Sequence, residues 1–238
     1  MKKVTERLVS LIVWTSGVCA FVLLGLFILF ATLFIDPKHI DGFVKTGCRY
    51  ILRSLFIHVE VQGLCNVQPN RTYLFVANHV NLFDAFVLKG YIPVFVRGLE
   101  LDKHFEWFFY GAIIRRLGMI PISHVNARAA LASLNRAKDA LADGTSIVVL
   151  PEGHRTLDGK FGPFKRGAFL LARDAGMDIL PLVMVGAYRI KHKGRMLIRP
   201  GKMTLRFGEP ILYQDIKDLK INDIRTHVHE RMTELFNR

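Results

Sequence analysis

The stretch "RTYLFVANHVNLFDAF", residues 71–86, decides the fold. Tyr73-Leu74-Phe75-Val76-Ala77 is apolar without alternation, the pattern of a strand buried on both faces. The run breaks into Asn78-His79, and Asp84 follows five residues after the histidine. On one ideal helix that spacing would set the two side chains about 140° apart. They meet only if the chain turns between them and Asp84 stands near the start of a following helix. One ring nitrogen would then be held by the carboxylate and the other left free, the base-plus-orienter arrangement of acid–base catalysis. The competing reading is a loop turn with a helix-capping aspartate.

Working outward, similar runs alternate with helical patterns. Strands are expected at "HVEVQG" (58–63), "PVFVRG" (93–98), "GMIPIS" (118–123), "SIVVLPEG" (146–153) and "DILPLVMVG" (178–186). A helix is expected at 126–144, with Asn126 as N-cap and Gly144 as its stop. Others are expected at 166–176 and 221–237. "MLIRPGKMTLRFGEP" (196–210) reads as a hairpin around Pro200-Gly201. The fold class is α/β: a mostly parallel sheet covered by helices, with an antiparallel hairpin at one edge. Ligands in such folds bind near the carboxyl ends of the strands, where Asn78-His79 and Pro151-Glu152-Gly153 fall.

The N-terminal part has a different texture. Leu8 to Ile35 carry no charge over 28 positions, a helix of roughly 42 Å against a hydrocarbon core of about 30 Å. Lys2, Lys3 and Arg7 precede the run, and Lys38, Lys45, Arg49 and Arg53 follow it. With both flanks basic, one geometry satisfies both: a membrane-embedded anchor that enters one leaflet, bends at Gly17 or Gly25, and returns. Residues 39–57 read as a basic amphipathic helix on the membrane interface, or alternatively as one packed on the domain. The expected organisation is an anchor over 1–57 and an α/β domain over 58–238, at a membrane, with the catalytic domain on the cytoplasmic face.

The net charge of +13 implies a polyanionic partner: nucleic acid, an anionic membrane surface or a phosphorylated substrate. Without a nucleic-acid-binding motif, nucleic acid is not among the expected partners. Three scattered cysteines give neither a disulfide framework nor a metal site, and imply a reducing compartment. There is no Gly-x-Ser-x-Gly elbow and no cysteine in a candidate site, so a base at His79 would activate a substrate hydroxyl directly, as in acyl transfer to an alcohol. "LPEGHRT" (150–156) puts Glu152, Gly153 and Arg155 at a strand end, where the guanidinium suits phosphate. Its plainer reading is a surface turn with a Glu–Arg pair. Lys165 and Arg166 precede a helix start, an anion site or a solvated pair of charges. The run Arg189 to Arg206 is basic without an acid, and suits anionic headgroups or solvent equally.

With these residues in hand, the chain resembles the glycerophospholipid acyltransferases, whose best-known members are the lysophosphatidic acid acyltransferases. "NHVNLFD" (78–84) matches the family's Asn-His-x-x-x-x-Asp block. "PEGHRT" (151–156) matches its Glu-Gly-x-Arg-Ser/Thr block, with His154 where Thr is usual. "FKRGAFLLARDAGMDILPLV" (164–183) matches a third block around Pro181. The resemblance implies His79 as general base with Asp84 as its partner, and Glu152 and Arg155 as residues that help bind the glycerol phosphate; with Gly153 of the same turn and Lys165 at the helix start they make up the expected substrate-binding set. It implies no cofactor, with acyl-CoA or acyl carrier protein as the thioester cosubstrate and a lysophospholipid, 1-acyl-glycerol-3-phosphate by default, as acceptor. A two-helix N-terminal anchor is common in the family. One block departs: "GMIPISH" (118–124) has His124 where the family places a phosphate-contacting arginine. Arg128, the nearest arginine, is the expected substitute. That departure keeps open another lysolipid or a hydroxylated aminolipid as acceptor, and a silent lipid-binding scaffold is the rival from another class.

Overall fold

The computed structural model describes residues 2–123 and 127–238. In chain order the first elements are α1 (Lys2–Ala31), α2 (Asp41–Ser54), β1 (Ile57–Gln62), β2 (Leu74–Ala77), α3 (Asp84–Tyr91), β3 (Val96–Leu101), α4 (Phe108–Arg116) and β4 (Ile120–Ile122). There follow α5 (Ala127–Ala142), β5 (Ser146–Val149), α6 (Gly167–Asp174), β6 (Ile179–Val185), α7 (Ala187–Ile190), β7 (Gly201–Phe207), α8 (Tyr213–Ile216) and α9 (Ile221–Asn237).

The strands form one sheet in the order β1-β7-β6-β2-β5-β3-β4. Every neighbouring pair is parallel except β6–β7. The apolar run around β2 has no polar face because this central strand is covered on both sides. Tyr73, Phe75 and Ala77 join the core under α2 and α3, and Leu74 and Val76 join the core under α5, α6 and α9. β2 is the central strand, so the turn that follows it lies between the carboxyl ends of β5 and β6.

Three expectations change. The first is the hairpin at 196–210. Only β7 is a strand there, and it pairs antiparallel with β6 and parallel with β1. Residues before Pro200 bond to α1 and α7 instead: the Arg199 N–H donates to the Ile190 carbonyl at 2.9 Å. The Ile198 N–H donates to Ser10 Oγ at 3.1 Å, and Trp14 Nε1 donates to the Met196 carbonyl at 2.6 Å.

The second is the bend at Gly17 or Gly25. α1 is one continuous helix, and the chain turns back at residues 32–40. The glycines are close-approach points: a Cβ at Gly17 would lie 2.5 Å from a Leu55 methyl, and one at Gly25 would lie 2.5 Å from the Phe109 ring.

The third concerns residues 39–57. α2 buries Val44, Cys48, Ile51 and Leu52, while Phe43 and Tyr50 of the expected apolar face are exposed. Its first residue, Asp41, is held by Lys45 Nζ at 2.7 Å and by Lys89 Nζ of α3 at 2.6 Å. One face of α2 is thus packed on the domain, and the side that carries Phe43 and Tyr50 is left uncovered. α2 ends at Ser54, and Phe56 just beyond has a left-handed backbone (φ 55°).

Candidate active site

β2 ends at Ala77, and residues 78–83 turn before α3 begins at Asp84. The break lets His79 and Asp84 meet: His79 Nδ1 lies 2.7 Å from Asp84 Oδ2. The same carboxylate accepts the backbone N–H groups of Val80 at 2.6 Å and Asn81 at 3.0 Å. A carboxylate at a helix start is also favoured by the helix dipole. Burial pushes the Asp84 carboxyl above its usual range, and the His79 contact and the two N–H groups oppose that shift. The His79 side chain keeps 24% exposure and the Asp84 side chain 3%. The second ring nitrogen of His79 has no partner among the described residues, and the ring is held by the first, as a proton acceptor requires.

Two asparagines tie this turn to the neighbouring strand end. Asn78 Oδ1 accepts the Met184 N–H at 2.7 Å, and Asn81 Nδ2 donates to the Ala187 carbonyl at 2.9 Å. Asn81 Oδ1 also accepts the Phe83 N–H at 2.8 Å, an Asx turn that shapes the loop. Asn81 was not singled out in the sequence. Its signal was an asparagine two residues before the last residue of a turn, which many surface loops share.

Glu152 differs from expectation. It is 1% exposed, and its carboxylate does not meet Arg155. Oε1 accepts the His79 backbone N–H and Oε2 the Gly162 N–H, both at 2.8 Å. Glu152 therefore braces the backbone of the histidine from a buried position. Burial pushes its carboxyl up, opposed by those two N–H groups. The loop is tied a second time by the Thr156 N–H, which donates to the His79 carbonyl at 2.9 Å.

Arg155, next to Thr156, is half-buried and has no hydrogen bond or ion pair among the described residues. Gly153 has a left-handed backbone (φ 70°), and Lys165 crosses over it: a Cβ at 153 would lie 2.6 Å from Lys165 Nζ. The Lys165 ammonium has no acidic partner among the described residues. The turn after β5 thus brings two unpaired cations to the loop that is bonded to His79. Arg166 stands at the N-terminus of α6 as expected.

Two members of the basic run 189–206 are engaged within the protein. Arg206 donates through Nε to Gln62 at 2.9 Å and through Nη1 to the Leu235 carbonyl at 3.1 Å. Lys191 is buried and donates to the carbonyls of His192 and Arg195. Burial, with the Arg155 charge as a second cause, holds the Lys191 ammonium below its usual range. His124, the Asn126 cap and the Arg128 side chain lie outside the described residues.

Comparison with known proteins places this arrangement. The acyltransferase family model matches residues 58–185. The chloroplastic 1-acyl-sn-glycerol-3-phosphate acyltransferase of Brassica napus is 27% identical over 183 residues, which cover 74% of this chain and 52% of that protein. The 1-acyl-sn-glycerol-3-phosphate acyltransferase of Helicobacter pylori is 29% identical over 166 residues, covering 66% of this chain and 70% of that one. The chain thus spans about half the length of the plant relative. Among solved structures, the 1-acyl-sn-glycerophosphate acyltransferase PlsC from Thermotoga maritima superposes with a TM-score of 0.83 at 25% identity, over 99% of this chain and 96% of that one.

Proposed function

Because the chain belongs to the acyltransferase family, we propose that it moves a fatty acyl group from a thioester donor, acyl-CoA or acyl carrier protein, to the hydroxyl of a lysophospholipid. The first candidate acceptor is 1-acyl-glycerol-3-phosphate, and the product would then be phosphatidic acid. The observation that carries the reading is the 2.7 Å contact between His79 and Asp84, with the other ring nitrogen free at the carboxyl end of the central strand.

The chemistry follows from that placement. The free nitrogen of His79 takes the proton of the acceptor hydroxyl as its oxygen attacks the thioester carbonyl. Asp84 holds the ring and stabilises the imidazolium that forms. The carbon–sulfur bond of the tetrahedral intermediate then breaks, and the imidazolium returns its proton to the departing thiolate. An ester and a free thiol result. Glu152 positions His79 through its backbone. Arg155 and Lys165 bind the acceptor phosphate, and their lack of an acidic partner supports that role.

We further propose that the protein is anchored in a membrane with the catalytic domain on the cytoplasmic face. Val9–Ala31 has a mean hydropathy of 2.4, and only 28% of its most apolar window is buried by the rest of the chain. A helix apolar all round that its own protein leaves uncovered suits lipid.

Acyl-transfer assays on the purified full chain, with a panel of lysolipids and both donor types, test the reading. No transfer to any hydroxyl would favour the scaffold alternative. His124 keeps a second acceptor class in view. On a phosphate acceptor, Arg128→Ala should raise the acceptor KM strongly and His124→Arg should be tolerated. On an acceptor without phosphate, Arg128→Ala should matter little and His124→Arg should harm activity.

A further inference from the structure

The parallel strands end their loops on the edge that carries His79, and those loops expose large apolar side chains. Phe108 is 96% exposed, Met196 74%, Trp107 55% and Leu82 48%. Each lies on a segment docked against α1. Met196 gives its carbonyl to Trp14. Leu82 adjoins Phe83, whose ring lies 6.2 Å from that of Trp14. Phe108 adjoins Phe109, which packs on Phe21 at 5.8 Å and against Gly25. On α1 itself Leu11, Ile12, Val18 and Val22 are exposed as well.

The Trp107–Phe108 turn is also built to stay where it is. His104 Nδ1 lies 2.6 Å from Glu100, and Tyr110 donates to the same carboxylate at 3.1 Å. The Trp107 ring lies against both, with centroids 4.6 Å from His104 and 6.0 Å from Tyr110. Arg115 donates to the Phe105 carbonyl, and Gly111 packs so close to that carbonyl that a Cβ would collide with it. A braced turn that holds a phenylalanine almost wholly in solvent needs an apolar partner. Trp and Phe on a polar frame, beside an uncovered apolar helix, fit the bilayer interface.

We infer that the Trp107–Phe108 turn, with Leu82 and Met196 beside it, is a second bilayer contact that enters lipid next to α1 and brings the His79 edge to the membrane surface. The inference rests on the membrane reading of α1 proposed above and is independent of the acyl-transfer reading.

The test uses the full chain in phospholipid vesicles with bromine on the acyl chains. Trp14→Phe leaves Trp107 as the sole tryptophan. In a Cys65→Ser background, a fluorophore on the exposed Cys19 of α1 reports whether the helix is embedded. The expected result is strong quenching of both probes, with Phe108→Asp reducing the Trp107 signal severalfold and sparing the Cys19 signal. A second arrangement places the only tryptophan one residue on (Trp14→Phe, Trp107→Phe, Phe108→Trp), and quenching should be at least as strong there. Quenching at Cys19 without quenching at 107 or 108 overturns this inference alone. Quenching at none of them overturns the membrane reading as well.

Discussion

The turn after β2 and the turn after β5 meet at one site and are built in opposite ways. In the first, Asp84 gathers the His79 ring and two N–H groups, and two asparagines tie the loop to the end of β6. In the second, Arg155 and Lys165 are brought to the same place with no acid to meet them among the described residues. A satisfied polar network specifies one geometry, because any other leaves buried donors unpaired. Unpaired cations leave their charge available to an anion instead. Substitutions after β2 should therefore disturb chemistry and stability together, and substitutions of Arg155 or Lys165 should disturb acceptor binding alone.

The strongest break in that comparison is His79→Ala. It should lower the acyl-transfer rate by about 10²- to 10⁴-fold and also lower the thermal melt, because the buried Asp84 carboxylate loses its ring partner, while the protein still folds. Near-normal turnover would remove His79 from the reaction. Next comes Asp84→Asn. A carboxamide cannot accept from all three donors, so stability should fall by about 1–3 kcal/mol and the rate per folded molecule by on the order of 10²-fold. A stability loss with an unchanged rate would reduce Asp84 to a helix cap. Arg155→Ala should raise the acceptor KM by about 10- to 100-fold with little change in kcat. Its melt should be unaltered, since Arg155 leaves no protein partner behind. An unchanged KM would mean that the phosphate is held elsewhere.

The smallest effect is a pH dependence. The Glu152 carboxyl is raised above its ordinary 4.5 by burial, so the folded state holds its proton more tightly than the unfolded chain does. The stabilisation this linkage contributes is complete below pH 4.5 and is lost as pH rises through the folded value. Glu152→Gln removes the linkage. The stability of the wild type relative to the variant should therefore decline as pH rises above 4.5, measured by denaturant titration at several pH values. A difference that stays flat with pH would show that the carboxyl is not raised.

The buried central strands were legible because a sheet covered on both faces leaves no position for a polar residue, so β2, β5 and β6 appear as unbroken apolar runs. The His79–Asp84 pair was legible for a related reason: their spacing works only across a turn, and an aspartate at a helix start provides one. Glu152's bracing contacts were not legible. Its neighbourhood, a glycine and a nearby arginine, suggested substrate binding or a surface pair, and nothing local told of the His79 and Gly162 N–H groups that it accepts. Those groups lie 73 and 10 residues away. α4 went unread because its apolar positions answer to α1, through Phe109 and Ile113 against Gly25, and not to a local stripe.

The sequence by itself determined the alternation of strands and helices, the apolar length of α1, and the residue types that can carry a base and bind an anion. Each depends on local composition and period, which a chain displays without folding. Only the tertiary structure decided that Gly17 and Gly25 are contacts for α1 and not bends in it. The same is true of the segment before Pro200, whose hydrogen bonds go to α1 and α7 and not to a hairpin partner. It also decided that Glu152 braces the site from a buried position while Arg155 stays unpaired. The reason is common to all of these: backbone donors, carbonyls and side-chain charges choose partners by proximity in space, and the partners here are drawn from strands and helices far apart in the chain.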